Sequence, residues 1–291
     1  MVCTTMCATA ERPCGIFSVM DAATSEVRQP AHGTSFDELV SRALEAPIKG
    51  WNFDWLQGRA TEDRTSWHYA ERARALLATA SSALDLDTGG GEVLTFIASF
   101  PPRMVATESW PPNVEFARKR LGPLGVEVVD TTGEAMLPFS AESFDVVLSR
   151  HPVRGRSASA DAAMWWHEAA RVLRRSGRFF SQQVGGRGMQ ELAAAMGRPP
   201  SASKEPWNVK AAARMALGAG LVVDEAREEF VRTVFFDIGA VVYYLRLVIW
   251  IVPGFSVETH REHLRRLDER IRAEGPLVTH GHRILLSATK P

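Results

Sequence analysis

The chain has 291 residues, 45% hydrophobic and 23% charged, which is enough for one large globular domain with a sizeable core. Its 34 basic and 34 acidic residues leave a formal net charge of zero, which argues against a broad nucleic-acid footprint, because such binding draws on a basic surplus. The only cysteines, Cys3, Cys7 and Cys14, are spaced C-x3-C-x6-C, which suits neither a disulfide scaffold nor the tight pairs of a structural zinc site, so no metal is expected.

In chain order, residues 1–33 show no hydrophobic periodicity and read as a flexible leader. Residues 34–80 read as a helical lid. SFDELVSRALEA offers Ser35 as an N-cap ahead of apolar residues at helical spacing. A tryptophan-rich stretch follows, with Trp51, Phe53 and Trp55, and then an amphipathic helix over 67–80. From residue 81 the texture changes. Apolar runs at 83–87, 104–108, 126–130 and 144–149 read as strands, with helices predicted over 92–99, 113–121 and 160–174. Gly177 is the expected stop of the last of these, and Arg171, Arg174 and Arg175 suit its C-terminal dipole.

A fifth strand is predicted at 178–183, a helix at 210–218, a sixth strand at 221–229 and a last strand at 282–289. Before that last strand stand two helices, an apolar one over 237–250 and a charged one over 257–273, which together read as an insertion. The segment 238–253 is too short for a membrane span and contains Arg246. No basic start followed by an apolar run opens the chain, so a cytoplasmic location without membrane contact is expected. The whole reads as an α/β fold over 81–291: a Rossmann-like, seven-stranded, doubly wound sheet with helices on both faces.

The chemistry concentrates in LDLDTGGGE, residues 84–92, a strand running into a glycine turn. Glu108 ends the second strand nineteen residues after Gly89, where an acid is suited to accept hydrogen bonds from both hydroxyls of a ribose. The pair indicates an adenosine-like ligand. Gly89, Gly90 and Gly91 lack the G-x-G-x-x-G spacing that seats a pyrophosphate on a helix N-terminus, and Glu92 would oppose one. A ligand without phosphates is therefore favoured.

These residues, with further motifs in order, resemble the class I S-adenosylmethionine-dependent methyltransferases. The first motif of that family is matched from Asp85 to Gly91, the acid of the second by Glu108, the third by TGEAMLPF at 132–139, and the fourth by the strand at 144–149. The fifth is matched by Ala170-Arg171-Val172-Leu173 with Gly177. The resemblance spans 84–183 and implies S-adenosylmethionine as cofactor. It implies a cofactor site built from Asp85, Asp87, Gly89, Gly91, Glu108, Ser109, Gly133, Glu134, Ala135, Ser149 and Arg150.

The sequence departs from the pattern at Asp87, where the family has glycine, and at Gly133, where it has the acid that contacts adenine. The amide of Glu134 is the remaining group there that can face the ring. Asp87 falls toward the ammonium and carboxylate end of the cofactor.

The implied reaction is an in-line displacement at a sulfonium methyl, which asks the protein mainly to position and desolvate its reactants. A base is needed only if the acceptor must lose a proton, and His151, just past the fourth strand, is the best-placed candidate. It equally reads as a histidine bonding the loop before Pro152. Trp55, Trp166 and Tyr243 are candidate lining for a small aromatic or heteroaromatic acceptor, and Arg59 a candidate partner of the cofactor carboxylate, or of Glu62 or Asp63. An RNA or protein acceptor, and a non-catalytic cofactor-binding module that regulates a partner, stand as alternatives.

Overall fold

A computed structural model of the chain describes residues 33–48, 53–132, 134, 136–152, 155, 159–198 and 207–291. The expected leader with Cys3, Cys7 and Cys14 lies outside these residues except for Gly33, and Trp51, Gly133 and Ala135 lie outside them too.

The helix α1 (Phe36–Glu45) begins where Ser35 accepts a hydrogen bond from the Glu38 amide at 3.2 Å. A short 3-10 turn at Asp54–Leu56 leads to strand β1 (Ala60–Glu62), and helix α2 (Tyr69–Leu77) follows. The core then alternates as the apolar runs predict: β2 (Ser82–Leu86), α3 (Glu92–Ile97), β3 (Arg103–Glu108), α4 (Pro111–Leu121), β4 (Glu127–Asp130), β5 (Phe144–Arg150), α5 (Ala160–Val172) and β6 (Leu173–Val184). It closes with α6 (Gln190–Ala195), α7 (Val209–Gly218), β7 (Val222–Phe235), α8 (Ile238–Leu247), α9 (Val257–Glu274) and β8 (Leu277–Thr289).

The sheet has eight strands, not seven, in the order β1-β7-β8-β6-β5-β2-β3-β4. β2 to β6 run parallel, whereas β8 lies antiparallel to both β6 and β7. The additional strand is β1, three residues that pair antiparallel with the end of β7. A three-residue strand carries too little periodicity to be seen in sequence. Strand order reverses between β2 and β5, so the ligand crevice is expected above the carboxyl ends of those two.

The two faces of the sheet bury alternate residues. Leu84, Leu86, Val147 and Phe179 point toward α5 and α7, while Ala83, Val146, Leu148 and Phe180 meet α2, α3 and α4. β7 and β8 stay paired from Val222↔Thr289 to Phe235↔Leu277, well past the last residue of β8 that β6 reaches, Arg283. That overhang carries a third core, in which α1, α8 and α9 pack together with Phe235 and Leu277.

The expected lid and insertion are thus joined to each other. Arg246, the cation in the apolar segment, sits on α8 and donates to the carbonyls of Ala43 and Ala46 at the end of α1. It satisfies backbone acceptors that a helix end leaves open. Gly177 does not end α5. That helix stops at Val172, and Gly177 lies in β6 beside a register shift between Phe144 and Val146. Among the described residues no helix is long and apolar enough to cross a membrane.

Candidate active site

The glycine turn leaves β2 at Leu86 and enters α3 at Glu92. Asp87, Gly89 and Gly91 all take left-handed backbone, with φ of 55°, 66° and 81°. Glycine adopts this at no steric cost, whereas Asp87 is strained there. The two turn glycines serve different ends. A Cβ built at Gly89 meets nothing within 4 Å, so this is the point where the turn opens to a ligand. A Cβ at Gly91 would stand 2.7 Å from the Leu121 side chain, so glycine there lets α4 pack close. Gly90 is enclosed by Glu92 and Arg120, which form an ion pair.

Glu108 braces this turn. Its Oε2 accepts from the Gly89 amide at 2.7 Å, and its Oε1 accepts from the amides of Ser109 and Trp110 at 2.8 Å each. Asn113 Nδ2 reaches Oε2 at 3.5 Å. A carboxylate offers about four acceptor positions, so a ribose diol would take over the Oε2 side, facing Gly89 and Asn113.

Asp85 is buried at the end of β2, and Asp87 and Glu108 lie close enough to act on it. Burial pushes the Asp85 carboxyl up to about 7, the charges of Asp87 and Glu108 push the same way, and Thr88 and Arg150 pull against them. Burial likewise raises Glu108, with Asp87 adding to the rise. Three carboxylates around an open glycine turn form a site that repels phosphate and favours a cationic ligand.

Ser149 and Arg150 end β5 alongside β2, and Ser149 Oγ donates to the Leu86 carbonyl at 3.4 Å. The segment after β4 is held by α5. Arg171 donates to the carbonyls of Phe139 and Leu137 at 2.7 and 3.0 Å, and Glu168 accepts from the Leu137 amide at 2.7 Å. Arg171 stands in the last turn of α5 as expected and also pairs with Glu168, whereas Arg174 and Arg175 lie beyond the helix in β6, where Arg174 pairs with Asp145. The amide of Glu134 donates to the Thr131 carbonyl at 3.1 Å, so it closes a turn and does not present itself to an adenine ring.

His151 follows with φ 58°, its amide donating to the Gln182 carbonyl at 2.7 Å. Its Nε2 lies 3.1 Å from Gln182 Nε2. The indole of Trp67 donates to Gln182 Oε1 at 2.7 Å, which fixes the amide of Gln182 with its NH2 toward His151. His151 Nε2 then accepts, and the ring proton sits on Nδ1. Both Trp67 and Gln182 escape a reading of motifs. The available signal is a polar run, Ser181-Gln182-Gln183, at the end of an otherwise apolar strand.

Of the three expected pocket residues, Trp55 and Tyr243 come together and Trp166 lies apart from them. Trp166 is fully buried under the sheet with Trp165 and Phe179, its Nε1 donating to the Gly155 carbonyl at 2.9 Å. Adjacent tryptophans share one core because their rings meet edge to face, 5.2 Å apart. Trp55 and Tyr243 stack on each other at 4.8 Å in the cap, and the Tyr243 hydroxyl donates to the Pro47 carbonyl at 3.4 Å. Arg59 pairs with Asp237 at 3.2 Å and lies over the Trp55 ring, not with Glu62 or Asp63. Glu62 pairs with Arg283.

A cleft does open beside Arg150 and Gln182. Its walls are the residues around β1 and the start of α2, including Glu62, Arg64 and Tyr69, with Phe96 from α3. Among the described residues no cluster of three metal-binding side chains is found.

Residues 84–181 match the family model described as a methyltransferase domain. No curated protein sequence matches the chain significantly. Among solved structures, a candidate methyltransferase from Bacillus halodurans C-125 is similar with a TM-score of 0.54 and 22% identity, over 76% of this chain and 97% of that one. The YcgJ protein from Bacillus subtilis gives 0.52 and 17%, over 77% and 98%. At such identities the likeness speaks for the fold.

Proposed function

We propose that the chain, whose residues 84–181 match the methyltransferase-domain model and whose fold is similar to that of a candidate methyltransferase, binds S-adenosylmethionine at the turn between β2 and α3 and transfers its methyl group to a small acceptor. The observation that carries the cofactor is the convergence of Asp85, Asp87 and Glu108 on a turn that opens at Gly89. S-adenosylmethionine has an adenosine, a sulfonium, an ammonium and no phosphate. Glu108 takes the ribose diol, and Asp87 and Asp85 offset the positive charges. The Trp110 amide and the end of β4 border the adenine side.

When bound, the cofactor supplies an already activated methyl group. The residues of the chain then have to hold the two reactants in line and exclude water. Ser149 and Arg150 close the site from β5, and the cleft beside Arg150 receives the acceptor, with Tyr69 and Phe96 as its aromatic wall. These two rings replace the buried Trp166 as support for an aromatic or heteroaromatic acceptor. In this arrangement Gln182 caps His151 Nε2 and the proton sits on Nδ1, so His151 serves as a base only if Gln182 releases Nε2, and an acceptor that carries its own lone pair needs none. A cytoplasmic enzyme acting on a small molecule fits the neutral charge.

Competitive titration tests the ligand class. S-adenosylhomocysteine is expected to bind at least about tenfold more tightly than ATP or NAD, because an acidic turn penalises phosphate. Equal or tighter binding of either phosphate ligand would contradict the proposal.

A further inference from the structure

The cleft beside Arg150 and Gln182 is lined by cations that differ in their partners. Arg150 is half-buried at the carboxyl end of β5 and lines the cleft. Among the described residues it makes no hydrogen bond and no ion pair, although its charge is felt at Asp85. The other buried cation of the cleft is spoken for. Arg283 is held by Glu62 at 2.7 and 2.8 Å, with both side chains below a tenth exposed. His68 stands 4.0 Å from Glu71 at the rim. Arg64 is exposed at the mouth and, like Arg150, has no partner among the described residues. Two guanidinium groups without a hydrogen-bonded side chain therefore line a cleft in which, among the described residues, Asp63 is the only lining acid without a side-chain partner.

The charge of Arg150 acts on Asp85, but its guanidinium donates to no side chain among the described residues, and its planar fork matches a carboxylate in two parallel hydrogen bonds. Tyr69 stands in the same cleft, stacked on Phe180 with ring centroids 5.0 Å apart, so its ring is a fixed wall. Gln182 is fixed by Trp67 and offers an amide from the end of β6. We propose that this cleft takes a carboxylate-bearing acceptor, with Arg150 as the anchor of the carboxylate and Arg64 as the group that draws it in. The proposal rests on the methyltransferase reading above and deepens it by naming the acceptor class. The carboxylate would sit on the cleft side of Arg150, away from the acids of the turn, with Tyr69 and Phe96 lining the space for the rest of the acceptor.

The test titrates acetate, benzoate and phenylacetate into the full chain saturated with S-adenosylhomocysteine, with benzamide as the uncharged control. At least one carboxylate is expected to bind saturably and better than benzamide. Arg150→Gln should weaken it about tenfold or more, the size of a charge-assisted hydrogen bond, and Arg150→Lys should restore part of the loss. Melting temperatures of both variants show whether the fold is retained.

No saturable carboxylate binding, or binding that Arg150→Gln leaves unchanged, would overturn the proposal. So would a variant that loses S-adenosylhomocysteine but keeps both benzoate and 5′-methylthioadenosine, since Arg150 would then hold the carboxylate of the cofactor. If the unaltered chain binds benzoate but not S-adenosylhomocysteine, it is the cofactor reading that fails.

Discussion

At the scale of single residues, the acids of the glycine turn decide the behaviour of the site. Asp87 replaces a glycine that the resembling family carries, and it keeps the left-handed backbone that the glycine would have had. An acid in a strained conformation beside two further carboxylates costs stability, and such strain is often found where a ligand compensates for it. Asp87→Gly should therefore raise thermal stability while weakening S-adenosylmethionine by about tenfold, the loss of one charge-assisted contact. Unchanged or tighter binding by calorimetry would show that Asp87 does not meet the ammonium.

Asp85 predicts a pH dependence. Its folded value of about 7 lies above the ordinary 3.8, so the folded state holds an extra proton between those limits. Stability contributed by this group is full below about pH 4 and is lost as pH rises through about 7. A cation bound nearby favours the ionised form, so cofactor affinity should rise as pH increases across the same value. Asp85→Asn should flatten both curves, and melting and binding profiles between about pH 5 and 8 check this. A variant with unchanged slopes would remove Asp85 from the account.

Among the elements, legibility followed periodicity. The strand β2 and its turn were readable because an apolar run and a glycine cluster are strong local signals, and the register of Asp85, Gly89 and Glu108 came with them. The roles of Trp166 and Tyr243 were not readable. A tryptophan on a helix gives the same sequence signal whether it faces a core or a cavity, and only the packing of α5 on the sheet distinguishes them. Gly177 misled because a glycine after a helical run is the usual stop signal, yet here it sits against the carbonyls of Arg174 and Asp145 at a bulge. The junction of α1 with α8 was also hidden, since it joins segments nearly two hundred residues apart. It can be tested at Gly239, where a Cβ would stand 2.9 Å from the Leu39 carbonyl. Gly239→Ala should destabilise the protein by about 1–3 kcal/mol in denaturant unfolding. No loss would mean that the two helices are not packed this closely.

For the whole molecule, the described N-terminal segment and the C-terminal strands form one structure, in which α1 packs on α8 and β1 pairs with β7. β1 closes the edge of β7, and the buried pair of Glu62 with Arg283 ties that edge to β8. Breaking one partner strands a buried charge, so Glu62→Gln should cost about 3–5 kcal/mol in denaturant unfolding. A cost near zero would show that the pair is not buried in solution. The sheet positions the glycine turn at the strand-order reversal, and the overhang of β7 and β8 carries the layer of α1, α8 and α9.

The central claim is that this turn holds S-adenosylmethionine. Isothermal calorimetry with S-adenosylmethionine and S-adenosylhomocysteine tests it most directly. The account predicts one saturable site for each, weakened at least about tenfold in Glu108→Ala, in which the ribose acceptor is lost. If neither cofactor form binds the unaltered chain, or if Glu108→Ala binds both as well as the parent, the account is contradicted.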